Sequence, residues 1–206
     1  LWAGLATAAV LITVVTGWSQ ISEGESTKNR VAPQVDASSQ REAGALLQAG
    51  IKQGEINDFA GAAATFKRVL DLDPQNKFAW YNLGVIAQHD NRTAGAQAAY
   101  DKALKIDPNF ESALYNKAVL LESSDTDQAV VTLQRIVAAN PKAATAYLHL
   151  GQDLAKKGQD KEAEDDFAHA VQADSSLQKL VPKKFRGSAS AAPSPTPTVT
   201  QAGTNR

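Results

Sequence analysis

Apolar residues at Trp80, Leu83 and Ala87, and again at Ala96, Ala99, Tyr100 and Ala103, fall three, four and seven residues apart, the spacing of one helix face. The polar turn Asn91-Arg92-Thr93 separates the two sets, so the segment predicts two antiparallel helices. The pattern returns along the chain. Small residues recur at Gly50, Gly84, Ala118 and Gly151, and alanines at Ala62, Ala96, Ala129 and Ala163. Large apolar or aromatic residues recur at Phe66, Tyr100, Leu133 and Phe167, with Val69, Ala103, Ile136 and Ala170 three residues later. Pro74, Pro108, Pro141 and then Ser175 close each phase, and every offset is 34 or 33 residues.

A glycine inside a helix costs about 1 kcal/mol relative to alanine, so its return at one phase needs a compensating reason. Close approach of two helices supplies one: Gly84 is expected to let Ala96 and Tyr100 of the partner helix pack against it without a void. Proline then ends the second helix, because the residue before it, Asp73, Asp107 or Asn140, is pushed out of helical geometry. A lone helix pair buries too little apolar surface, so the core is expected to form by stacking. The fold read from this pattern is all-α, four helix pairs at residues 43–76, 77–110, 111–143 and 144–177.

The segments WYNLG at 80–84, AGAQAAYDKAL at 94–104 and IDP at 106–108 resemble the tetratricopeptide repeat. That family's signature is an aromatic, then Leu-Gly, then Ala with an aromatic four residues on, and proline near the end. Repeat two matches at nearly every signature position. Repeat one has Leu46 for the first aromatic, repeat three is one residue short in its turn and has Leu133 for the second, and repeat four has Ser175 for proline.

The resemblance implies a right-handed α-solenoid whose first helices line a concave groove, where the second, fifth, sixth and ninth repeat positions contact an extended peptide or a partner helix. Carried onto this chain, the fifth positions are Leu47, Tyr81, Tyr115 and Leu148, the sixth Gln48, Asn82, Asn116 and His149, and the ninth Ile51, Val85, Val119 and Gln152. The candidate binding set is Gln48, Tyr81, Asn82, Val85, Tyr115, Asn116, Val119, Leu148 and His149. A carboxamide donates and accepts at once, which suits a peptide backbone, and Tyr and Val would add apolar contact. The competing reading is that the asparagines bond to a neighbouring helix and only stabilise the stack. The carboxylate clamp of chaperone-tail binders is not expected, since its places hold Leu47, Ile51, Asn82, Ser112 and Asn116, of which Asn82 alone fits.

Outside the repeats, residues 1–18 carry no charge and no proline, and as a helix they would reach about 27 Å, enough to cross a bilayer. Trp2 and Trp18 would place a ring near each interface. A transmembrane anchor is therefore expected, with the apolar core of a cleaved signal peptide as the rival; no small-x-small pattern follows the run to support cleavage. Lys28 and Arg30 are the only basic residues close beyond the run, and the expected topology puts the repeats on the extracytoplasmic side. The chain opens on Leu1 and has no methionine, so further residues upstream are expected. Residues 19–40 read as a polar linker and 187–206 as a disordered Ser/Thr/Pro/Ala tail. Leu177, Leu180 and Val181 offer a short cap over the last repeat, stopped near Pro182, within a cap segment drawn at 178–186. Lys179, Lys183, Lys184 and Arg186 are expected to face solvent.

A net charge of -1 implies no bulk attraction to nucleic acid or anionic lipid, and no nucleic-acid partner is expected. With no cysteine, thiolate metal sites and thiol nucleophiles are excluded, while the redox compartment stays open. No phosphate loop or hydrolase elbow occurs, and His89, His149 and His169 never fall at i, i+4. Glu162 and Asp166 share a helix face, read as solvated surface. No catalytic, cofactor or metal site is expected. The expected function is a membrane-tethered scaffold that binds a protein or peptide, with an assembly role. The alternatives are a self-associating homo-oligomer and an enzyme of unrecognised type.

Overall fold

The computed structural model describes residues 37–190. Among them eight α-helices follow one another: α1 Ala37–Glu55, α2 Phe59–Leu72, α3 Lys77–His89, α4 Thr93–Ile106, α5 Glu111–Leu121, α6 Thr126–Ala139, α7 Ala144–Lys156 and α8 Asp160–Ala173. Each odd helix packs on the even helix after it, and each even helix on the next odd one, so four hairpins stack in sequence order. Among the first helices, α1 also touches α3 and α3 touches α5, so the first helices of repeats one to three lie side by side along one face of the stack.

The positions that keep phase in the sequence are the core. Phe66, Tyr100, Leu133 and Phe167, the four alanines Ala62, Ala96, Ala129 and Ala163, and Val69, Ala103, Ile136 and Ala170 are all buried, none above 2 % exposed. Gly84 receives Tyr100 as expected, and Gly50 and Gly151 receive Phe66 and Phe167 in the same way.

The residue before each proline has a second role that proline alone does not reveal. Asp73, Asp107 and Asn140 sit as helix C-caps, and their side-chain oxygens accept the backbone N–H two residues on, from Gln75 at 3.1 Å, Asn109 at 3.0 Å and Lys142 at 3.1 Å. Asp174 does the same to Ser176 at 2.9 Å, which keeps the corner of repeat four where Ser175 replaces proline. This local side-chain turn competes with helix continuation and closes it.

In repeats one, two and four the turn within the hairpin uses one left-handed residue, Asn57, Asn91 and Gly158 at φ 63°, 57° and 76°. Asparagine and glycine tolerate that region best. Repeat three, one residue short, turns through Ser123, Ser124 and Asp125 without one, and Asp125 caps α6 by accepting the Gln128 N–H at 3.0 Å. Asn91 is thus explained by backbone geometry.

Three boundaries differ from the sequence reading. Helix α1 starts at Ala37, so residues 37–40 belong to the first hairpin and not to the linker; no proline interrupts the chain from Ala37 to Glu55. The cap is a series of short 3-10 turns, Ser175–Leu180, Lys183–Phe185 and Ser188–Ser190, in which Val181, Phe185 and Ala189 are buried while Leu180 is 52 % exposed. The Phe185 ring centroid lies 5.1 Å from that of Phe167, and the first residues of the expected disordered tail, 187–190, fold onto α8. Lys184 and Arg186 are fasteners of this cap: Lys184 Nζ reaches both Asp160 oxygens at 2.9 Å, and Arg186 donates to the carbonyls of Val181 and Lys179 at 2.8 and 2.9 Å. Among the described residues no helix is long and apolar enough to cross a membrane; the expected anchor at 1–18, the linker before residue 37 and the tail beyond 190 lie outside them.

Candidate functional site

The inner helices present the sixth-position side chains one above another. Gln48 is exposed, and Asn82, Asn116 and His149 are half-buried, as are Val85 and Val119. Leu148 does not join this row. It is 3 % exposed and belongs to the core of repeats three and four, because α7 turns that side towards its neighbours, so it offers no surface to a ligand.

The fifth-position tyrosines are committed to the next repeat. Asn116 Nδ2 donates to Tyr81 Oη at 3.2 Å, and Tyr115 Oη lies 2.9 Å from His149 Nε2. His149 Nδ1 faces Glu122 Oε1 at 2.5 Å, so that nitrogen carries the proton and Nε2 accepts from the phenol when the ring is neutral. Each bond runs from the fifth position of one repeat to the sixth of the next. Tyr81 is further enclosed by Phe110, at 5.3 Å between ring centroids, and Tyr100, at 5.9 Å. Both rings are half-buried, with their hydroxyls engaged. Burial, and then the charge of Glu122, pushes the Tyr115 phenol up to about 12. Burial also raises Tyr81, against the hydrogen bond from Asn116.

Asn82 differs from Asn116. Its Nδ2 donates to Phe78 O of its own helix at 2.8 Å, so it ties no repeats together. A carboxamide that spends one N–H keeps its oxygen and a second N–H for another partner. Asn116 is more engaged, since its amide donates to Tyr81 and also lies beside the Tyr100 hydroxyl. The wall therefore combines amide groups with the flanking apolar surface of Val85 and Val119.

Two features of the wall escape the signature positions. Glu122 stands 34 residues after Gln88, whose Oε1 accepts the Tyr100 hydroxyl at 2.7 Å. In repeat three Leu133 has no hydroxyl to hold, and the acid at this register holds His149 instead. Phe78 and Phe110 meet edge to face at 5.5 Å with Lys77 Nζ within 5.2 Å of both rings, and Lys77 also donates to Asp107. Offset from Gln88 is the one sequence signal that points to Glu122.

On α8, Asp166 is not plain solvated surface. It is half-buried, and burial, then the charges of Asp165 and Glu162, push its carboxyl up to about 7. The neighbouring Tyr147 stacks on His169 at 4.8 Å between centroids. Among the described residues no group of three or more His, Asp or Glu side chains is placed to hold a metal ion.

No curated protein matches this chain by sequence. Solved structures match by fold. MamA residues 41 to the end from Desulfovibrio magneticus RS-1 is 22% identical over 72% of this chain and 89% of its own, with a TM-score of 0.62. PilF of Pseudomonas aeruginosa is 19% identical over 69% of this chain and 66% of its own, with a TM-score of 0.62. YrrB, described as a repeat protein of this kind with an unusual peptide-binding site, is 20% identical over 75% of this chain and 88% of its own, with a TM-score of 0.60. At these identities the likeness is one of fold. The sequence pattern of the tetratricopeptide repeat family matches residues 43–109 and 119–177, well over half of the chain. The four stacked hairpins, their glycine–aromatic contacts and that match agree, and the chain belongs to the tetratricopeptide repeat family.

Proposed function

We propose that this chain is a non-catalytic scaffold that takes an extended segment of a partner protein along the inner wall of repeats two to four. In this reading residues 1–18 tether it to a membrane with the repeats on the extracytoplasmic side, and its role is in assembly of a membrane-associated complex. The observation that carries the binding part is the row Asn82, Asn116 and His149, flanked by Val85 and Val119. The three polar groups share one register over three consecutive repeats and stay half-exposed beside the buried core positions. Amides with spare hydrogen-bonding capacity beside apolar side chains suit a peptide backbone and its alternate side chains. YrrB, of similar fold, is described as having an unusual peptide-binding site, which supports peptide binding by this chain in general. The tether and the side of the membrane rest on the sequence of residues 1–18 and its flanks.

Asn82 gives the cleanest test because its one bond stays within its own helix. Partner capture by the full chain from its native membrane should fall in Asn82→Ala with an unchanged melting temperature. Undiminished capture by the double variant Asn82→Ala, Asn116→Ala would contradict the proposal. Self-association draws no support from the C-terminal end, where Val181, Phe185 and Ala189 already cover the apolar face. Light scattering of the full chain over a range of concentrations separates that alternative.

A further inference from the structure

Asp153 departs from the two repeats before it, although repeat one also has a charged residue, Lys52, at this register. Ile86 in repeat two and Leu120 in repeat three occupy the matching positions, 34 and 33 residues apart, and both pack into apolar clusters. Repeat four puts a carboxylic acid there, 0% exposed, on the same helix as buried Leu150 and Leu154. Its Oδ1 accepts from Lys156 Nζ at 2.8 Å, but its Oδ2 has no partner. A buried ionised carboxylate with one oxygen unsatisfied is costly, whereas the neutral acid is much less so.

We propose that Asp153 makes the packing of repeat four on repeat three depend on pH: the neutral acid closes the joint between the two repeats, and the ionised acid favours its opening. The charged and titratable groups around it are Glu122 at the end of α5, which opposes ionisation, and His149 and Lys156 of α7, which favour it. On the other packed helices, Asp127 of α6 pairs with Lys157, Asp160 of α8 with Lys184, and Asp166 of α8 lies near Tyr147 with Asp165 and Glu162 beside it. Burial is the largest influence on Asp153 and raises its proton affinity in the closed state. Opening admits water to the carboxylate, so proton release and opening are linked.

His149 donates from Nδ1 to Glu122 and accepts at Nε2 from Tyr115 when its ring is neutral. Asp153 differs in having one buried oxygen, Oδ2, without a partner. The dependence holds whether or not a partner occupies the inner wall.

Backbone amide exchange on the full chain between pH 5 and 8, corrected for intrinsic chemistry, reads the opening directly. Protection in α7 relative to α3 should fall as pH rises, by up to about tenfold per pH unit while Asp153 is titrating. Asp153→Asn, and Asp153→Leu, which gives repeat four the apolar character this register has in repeats two and three, should both flatten that slope. Asp166→Asn, which removes the other high-pKa acid of this repeat, should leave the Asp153-dependent part in place. A wild-type slope of zero, or the wild-type slope retained in Asp153→Asn and Asp153→Leu, overturns the proposal.

Discussion

The ring of Tyr100 lies so close to Gly84 that a methyl group on that glycine would stand 2.5 Å from Cε1. Tyr100 cannot easily withdraw, since it is fully buried and its hydroxyl is held by Gln88. Repeats one and four repeat the arrangement, with 2.7 Å from Gly50 to Phe66 and 2.8 Å from Gly151 to Phe167. Repeat three pairs Ala118 with Leu133, a larger residue on one helix against a smaller one on the other.

Gly84→Ala should therefore lower stability by about 1–2 kcal/mol, overpacking outweighing the gain of about 1 kcal/mol in helix propensity. Gly44, also inside a helix, has nothing within 4 Å of an added methyl, and Gly44→Ala should stabilise by up to about 1 kcal/mol. Urea unfolding of the two variants checks the opposite signs.

The hairpins and their core are legible in the sequence because one physical rule, small against large at a fixed register, is written four times. The ends and the joints are not, because they occur once. Phe185 and Ala189 follow Pro182 in a segment without helical period, so only the folded structure reveals that they finish the core. Leu148 has the register of a groove residue but the chemistry of a core one, and helix orientation decides between them. The bond from Asn116 to Tyr81 crosses 35 residues, and no local pattern distinguishes an amide spent on a neighbouring repeat from one kept for a ligand.

Asp166 sets the pH response of repeat four's outer helix. Its carboxyl is raised from an ordinary 3.8 to about 7, so the folded state binds the proton more tightly than the unfolded one. The stability it contributes is complete below about pH 4 and is lost as pH rises to about 7. Asp166→Asn should remove that loss and raise stability at pH 8 by about 1–3 kcal/mol, after discounting for its remaining contact with water. Thermal melts of both proteins at pH 5 and pH 8 test the sign.

Asp107 behaves in the opposite sense. The hydrogen bond from Lys77, and after it the Asn109 N–H, hold its carboxyl below the ordinary 3.8. Its contribution is present above that value and is lost as pH falls through the lower one. Asp107→Ala should cost about 1–2 kcal/mol at pH 7, and Asp107→Asn less, because asparagine still accepts the turn N–H as Asn140 does in repeat three. Denaturant titrations at pH 7 rank the two.

The tyrosine hydroxyls should report on the stack. Tyr81→Phe leaves the ring contacts and removes the acceptor for Asn116, so it should cost about 1 kcal/mol of stability while freeing that amide. Asn116→Ala should lose both the inter-repeat bond and partner capture, unlike Asn82→Ala, which should lose capture alone. Paired melting and capture measurements on the three variants separate the two roles.

Photo-crosslinking from single positions of the full chain in its native membrane tests the docking wall most directly. Val85 and Val119 lie on the inner helices, whereas Val131 on α6 is 53% exposed and serves as the outer control. A photoreactive residue at Val85 or Val119 should join covalently to a segment of another protein, and one at Val131 should not. Equal capture from Val131, or inner-wall crosslinks found only to this chain itself, would contradict the account.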